Sequence, residues 1–537
     1  MEKKFDEFLE KHLKVIQPLT TEMNSVYWNA AISGKKEDYD RYAELELIYR
    51  KIYTDSTEFS LIKEIRQSGK IKNELKKRQL EILYNTYLEN QISPELLEMM
   101  VKKSSEVENK FSVFRATMDG KKITDNEISQ ILKKETDSRK RRAAWMASKQ
   151  VGQQVADDLI KLVKLRNTAA RELGFDNYYV MSLTLGEQNI DELTKIFDEL
   201  DELTREPFKK MKAELDSILA EYYGIGVDGL MPWHYHDPFF QEGPLVYDVD
   251  LDKYYANQDV KKLARDFYDS INLEVDDILK RSDLYEKEGK NPHAFCTDID
   301  RSGDVRVLTN LQNNEQWMET ILHELGHAVY DKYIDRDLPF LLREPAHSFT
   351  TEAIAMMFGR LSRNGYWLQK MIDLPNEERD QIADVVNKSL ALKQLIFARW
   401  CQVMFRFERA LYENPNQDLN ILWWDLAEKY QMIKRPPHRN APDWAAKIHF
   451  TIAPVYYHNY MLGELLASQL HYYIAAQVLH TKSVKTIAYV GEKEIGKYLK
   501  KNVFQPGNRY VWNEMIKRAT GEYLTPKYFV KQFVSGN

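Results

Sequence analysis

Two histidines four residues apart, with a glutamate directly after the first, can hold a metal ion and act on a water beside it. His323-Glu324-Leu325-Gly326-His327 is such a set. The run before it, Glu315 to Leu322, has helical periodicity and no breaker, so a helix is expected through the motif. On a helix the two imidazoles lie about 40° apart around the axis and about 6 Å apart along it, a separation one zinc ion spans. Glu324 points to a neighbouring face and reaches a water on the ion rather than the ion itself. Gly326 leaves room beside the metal.

A catalytic zinc needs a third protein ligand and an open fourth position. Beyond a loop with Pro339 and Pro345, the stretch Ser348 to Met356 reads as a second helix whose first turn carries Glu352. The 24 residues between His327 and Glu352 suffice for a reversal and an antiparallel return. The expected centre is one zinc ion per chain on His323, His327 and Glu352, with Glu324 as the base.

These words, with Asp337-Leu338-Pro339, Leu342-Arg343-Glu344 and Thr351-Glu352-Ala353-Ile354, resemble peptidase family M2, the family of angiotensin-converting enzyme. The related M3 oligopeptidases share the zinc logic. The spacing to Glu352 is one residue longer than in M2 and matches M3; the surrounding words are those of M2. Specific motifs carry the resemblance over residues 225–480, the expected zinc and substrate-site region. Its implied fold class is all-α: an elongated multi-helix body with a deep substrate channel and a small β-hairpin beside the zinc helix.

The elements that must position these residues are mostly helical. The chain has 537 residues, and length alone suggests three or four domains. No Gly/Ser run, Pro-rich run, low-complexity segment or repeat marks a linker, so one domain over 1–537 in two helical halves is expected. A hydrophobic content of 43% fills its core. Residues 1–135 read as amphipathic helices, with a capping box at Thr124 and Glu127, and the resemblance makes them the roof of the channel. Helices are expected from Ser138 to Leu173 and from Asp191 to Tyr223, stopped by Gly174 and Gly224. Trp145, Tyr178, Tyr179, Trp423 and Trp424 read as core.

Residues 225–247 break this pattern with prolines, aromatics and two histidines, a content that often lines sites. The resemblance puts here a glutamine that binds a substrate's C-terminal carboxylate; the chain has no clean equivalent of it, and His234 is the nearest residue. The expected β element is a hairpin, His293–Asp298 and Val305–Thr309 around a Ser302-Gly303-Asp304 turn. Such a strand can pair with an extended peptide. By resemblance, His293 and Ala294 contact substrate. Further on, Pro454 is expected to open a helix on which Tyr457 and Tyr460 share a face. The resemblance gives Lys447 and Tyr457 the substrate's terminal carboxylate, His449 a substrate carbonyl and Tyr460 the oxyanion. Asn459 stands where M2 has an arginine used in chloride activation.

Charge and composition bound the partners. The 76 basic and 82 acidic residues give a net charge of −6 and are interspersed, with no basic block for nucleic acid. Cys296 and Cys401 allow at most one disulfide and are expected as thiols. The first ten residues carry acidic side chains where a signal peptide needs an apolar core, and no apolar run is long enough to span a bilayer. The expectation is a cytoplasmic protein without membrane or nucleic-acid partners, a monomer or weak dimer acting on oligopeptides. The mechanism the residues allow is zinc-dependent peptide hydrolysis, as a peptidyl-dipeptidase. The alternatives are an M3-like oligoendopeptidase, a metallocarboxypeptidase taking single residues, and a peptide-binding protein that has lost catalysis. The intact Glu324 argues against the last.

Overall fold

The computed structural model describes residues 1–244, 246–247 and 249–534. Leu245 of the 225–247 loop and the last three residues of the expected 1–537 domain lie outside them. Among the described residues the chain is all-α, with two antiparallel two-stranded sheets. They fall into two compact units. One comprises Met1–Gln91, Val249–Asp384 and Leu462–Thr525; the other comprises Ile92–Asp248, Val385–Met461 and Pro526–Asn537. The helices expected over 1–135 therefore divide between the units at Gln91.

In the first unit the helix Glu2–Ser33 does two jobs. Phe5, Phe8 and Ile16 join Ile62, Ile65, Leu83 and Tyr87 in a buried cluster that also takes Phe340 and Leu341. Farther along, Trp28 and Ala31 pack on Ile299 and Leu308 of a β-hairpin. Asn24 ties the two together, donating from Nδ2 to the carbonyls of Asp298 and Ile299 at 3.1 and 3.2 Å.

That hairpin is the expected one, with strands Phe295–Asp298 and Val305–Leu308. Val305–Leu308 is its inner strand, because Asp283 also bridges to Leu308 and exchanges hydrogen bonds with Val307 and Thr309. Phe295–Asp298 is left as the edge. Lys290, its ammonium fully buried, ties down the approach to this strand through Asp283, Tyr285 and Thr309.

In the second unit the long helices form where expected, at Ser138–Glu172 and Ile190–Tyr223. Asp137 and Asn189 cap them by accepting backbone N–H groups of their first turns. Gly224 stops the second in the left-handed region, φ +61°. The Thr124–Glu127 capping box is present in both directions. Trp145, Trp423 and Trp424 are buried as expected.

The unit also holds a second hairpin, Ala116–Met118 with Lys121–Ile123, where helices alone were expected. It turns at Asp119 and Gly120, both at positive φ. Asp-Gly is a strong signal for such a turn, but the flanking strands are only three residues long and leave no periodicity to detect.

Candidate active site

The motif lies on the helix Glu315–Lys332, capped by Asn314, which accepts the Trp317 N–H at 2.9 Å. Glu352 lies on the helix Ser348–Gly359, capped through the ring of His347. It is the fifth residue of that helix, just past the expected first turn. The two helices pack together, and Gly326 decides how closely. A Cβ at Gly326 would sit 2.7 Å from the Ala355 Cα and 3.1 Å from its nitrogen. The space this glycine leaves is thus filled by backbone of the Glu352 helix, not kept beside the metal as expected. The close packing brings the candidate ligands together.

His323 Nε2 lies 3.5 Å from Glu352 Oε1, and His327 Nε2 lies 3.4 Å from Glu352 Oε2. All three donors lie within 4.8 Å of one another. Zinc bonded at about 2.0–2.1 Å in a tetrahedron needs donors about 3.3 Å apart. Two imidazole nitrogens and a carboxylate at these separations fit that ion.

The protonation preferences of these side chains follow from burial and mutual charge. Burial pulls His323 down to about 4, although Glu352 opposes this. Burial works the same way on His327, but its bond to Glu352 and the nearby carboxylates outweigh it and raise its pKa. Burial disfavours the charged form of Glu352 too, yet the His327 bond and the histidine charges hold its pKa below the usual value. Glu324 is 8% exposed, and burial pushes its carboxyl up to about 7.

The triad opens on a cavity of about 560 Å³, lined among others by Glu324, Ala294, Phe295, Cys296, Asp331 and His347. Ala294 and the edge strand after it are thus brought to the candidate ligands. His293 is exposed, with its N–H on Asn291 Oδ1, and is not among the residues lining this cavity. Cys296 and Cys401 are thiols, as expected, and not a disulfide pair.

The second unit gathers the other candidates. Lys447 is 7% exposed, and burial pulls its ammonium down to about 8 against the pull of Asp237. Its Nζ lies 5.3 Å from the ring centres of Trp400 and Tyr457 and 5.4 Å from that of Phe239. Nζ donates to Gln241 Oε1 at 2.5 Å, and Asp237 orients that amide by accepting from Gln241 Nε2 at 3.3 Å.

The side chain beside Lys447 is thus that of Gln241 and not of His234. His234 is 2% exposed and spends its ring on the Met231 N–H and the Ser138 hydroxyl, so it belongs to the core. The 205 residues between Gln241 and Lys447 hid the pairing, since no local pattern joins them.

Tyr457 is buried, accepts from Trp400 Nε1 at 2.8 Å, and has its pKa raised by burial. Its ring meets that of His449 at 5.0 Å. Burial and the Lys447 charge lower His449 to about 4, and its Nδ1 is buried with no hydrogen-bond partner among the described residues.

Pro454 does not open a helix. It sits in the turn between the short helix His449–Ile452 and the helix His458–Tyr473. Val455 in that turn has φ +55°, and its N–H is held by the buried Glu408 at 2.8 Å. Tyr457 thus precedes the helix that carries Tyr460, so they do not share a helix face. Their rings still meet at 5.3 Å. Tyr456 also meets Tyr460 at 5.3 Å. Asn459 is buried and accepts from Gln188 Nε2 at 2.7 Å.

Comparison with known proteins supplies the context for these constellations. The family model of M2 peptidases, described as angiotensin-converting enzyme, matches residues 1–235 and 245–533. An angiotensin-converting enzyme from Theromyzon tessulatum is 21% identical over 423 residues, 74% of this chain and 68% of that protein. One from Sus scrofa is 25% identical over 71% of this chain but only 31% of its own length. A protein named thermostable carboxypeptidase 1 from Pyrococcus furiosus is 24% identical over 70% of this chain and 72% of its own. The chain therefore spans less than a third of the length of relatives such as the Sus scrofa enzyme.

Proposed function

The chain belongs to the peptidase M2 family, and on that premise we propose that it is a zinc-dependent peptidyl-dipeptidase acting on oligopeptides. The observation that carries the proposal is the donor triad at zinc-like spacing beside the buried carboxyl of Glu324. When bound, zinc supplies a Lewis acid that makes a water nucleophilic near neutral pH and polarises the scissile carbonyl.

Glu324 accepts a proton from the attacking water and returns it to the leaving amine. The edge strand Phe295–Asp298, with Ala294 before it, offers backbone groups to an extended peptide. His293 stays in this proposal only as a contact at the strand's exposed start. Tyr460 donates its hydroxyl to the oxyanion, and His449 holds a substrate carbonyl. Lys447, Gln241 and Tyr457 hold the terminal carboxylate, an anion that replaces lost hydration around the buried ammonium. Among the described residues no helix is long and apolar enough to cross a membrane. A cytoplasmic site of action and a monomeric or weakly dimeric state belong to the same proposal.

One alternative has an observation behind it. A terminal-carboxylate cluster equally serves an enzyme removing single residues, the activity named for the Pyrococcus furiosus relative. Incubation with free-acid and C-amidated peptides, with and without chelator, and mass mapping of the fragments separates the readings. Dipeptide release from free acids that stops with chelator is expected. Single-residue release favours the carboxypeptidase, equal internal cleavage of acid and amide favours an oligoendopeptidase, and full activity in a metal-free preparation ends the zinc proposal.

A further inference from the structure

The zinc ligands named above leave one close polar contact unexplained. His327 Nδ1 lies 2.8 Å from Thr351 Oγ1. The other ring nitrogen, Nε2, is the one turned to Glu352. A neutral imidazole has one N–H and one lone pair, and the partner of the first decides which nitrogen offers the second. Thr351 precedes Glu352 on the same helix, so consecutive residues address the two nitrogens of one ring. The close approach at Gly326 fixes the distance between this helix and the histidine. Thr351 also lines the cavity that the triad opens on.

Resting on the zinc reading, we propose that Thr351 is a positioning residue for the metal centre. Its oxygen accepts the Nδ1–H of His327, which holds the ring in the tautomer and orientation that present the Nε2 lone pair to the ion. Neither the motif nor the third ligand points to this residue; only the helix pairing does. Partners of this kind are typically worth about 10–100-fold in metal affinity.

The experiment is competitive zinc titration of the full chain against a fluorescent chelator, on wild type, Thr351→Val and Thr351→Ser. Valine keeps the shape and removes the acceptor; serine keeps the acceptor and removes the methyl. Thr351→Val is expected to bind zinc about 10–100-fold more weakly, Thr351→Ser to stay near wild type, and the apoprotein melting temperatures to coincide. Equal zinc affinity in wild type and Thr351→Val overturns the proposal while leaving the zinc reading intact. So does an equal loss in Thr351→Ser and Thr351→Val, which would point to packing. If Thr351→Val lowers the apoprotein melting temperature, Thr351→Ala replaces it, and the proposal then requires the loss in alanine to be restored by serine. A wild type that binds no zinc overturns both readings.

Discussion

The two constellations are built in opposite ways. The triad stands on two regular helices, with His323 and His327 one turn apart and Glu352 brought in by a glycine contact. The Gln241–Lys447–Tyr457 cluster stands on irregular chain: Gln241 in a loop held by Asp237, Lys447 at the end of a short 3₁₀ turn, Tyr457 in a turn held by Glu408. The first is rich in carboxylates and suits a cation. The second buries an ammonium among aromatic rings and suits an anion. Regular helices set metal donors to tenths of an ångström, whereas a terminal carboxylate needs only a charge and a few donors at the right depth.

Substitutions test that division of labour, and the largest effect is expected at the base. Glu324→Gln should keep zinc and peptide binding while kcat falls by several decades, because the carboxyl touches the reacting water and not the ion. Metal analysis beside steady-state kinetics checks it; loss of metal on the scale of His323→Ala would make Glu324 a ligand. Next comes Tyr460→Phe, expected to lower kcat and kcat/KM together by about 10²-fold with KM nearly constant. If Tyr456→Phe gives that loss instead and Tyr460→Phe is silent, Tyr456 is the donor.

Smaller effects are expected at the Gln241–Lys447–Tyr457 cluster. Gln241→Leu and Lys447→Ala should raise KM for free-acid peptides by about 10-fold or more and leave C-amidated ones little changed, since a charge-assisted bond contributes roughly 1.5–3 kcal/mol. An equal rise for both would remove terminal recognition from this cluster. The smallest expected effect is on stability. Burial pushes Glu408 up to about 8, from an ordinary value of 4.5. Its raised folded-state pKa contributes stability that is full below the unfolded value and is lost as pH rises through the folded one. Wild-type melting temperature should therefore fall between pH 5 and pH 8, and Glu408→Gln should flatten that slope. Parallel slopes in the two proteins would show that Glu408 does not titrate there.

How much was legible in the chain follows the same line. Spacing and periodicity revealed the helix through His323 and His327, the helix carrying Glu352, and the hairpin at Phe295–Asp298, because each is local. The helices expected from Ser138 and from Asp191 announced themselves by their glycine stops, Gly174 and Gly224. What stayed hidden was non-local or irregular. Gln241 reads as one polar residue in an aromatic loop until Lys447 is placed beside it. Pro454 satisfies the rule for a helix start, yet a positive φ at Val455 and the Glu408 contact make a turn there. Gly326 looked like space for a ligand because nothing in the motif records Ala355. Thr351 needed the facing helix before its hydroxyl had a partner.

The glycine contact has a further consequence, for how the ion arrives. Two helices whose backbones touch at Gly326 and Ala355 cannot part without breaking the core around them. On the zinc reading proposed above, the helix packing itself holds the three donors together, so uptake of the ion would require it to shed water rather than the chain to rearrange. Maturation of such a protein becomes a question of metal supply, and a chelated sample should regain its activity as fast as free zinc can reach the cavity.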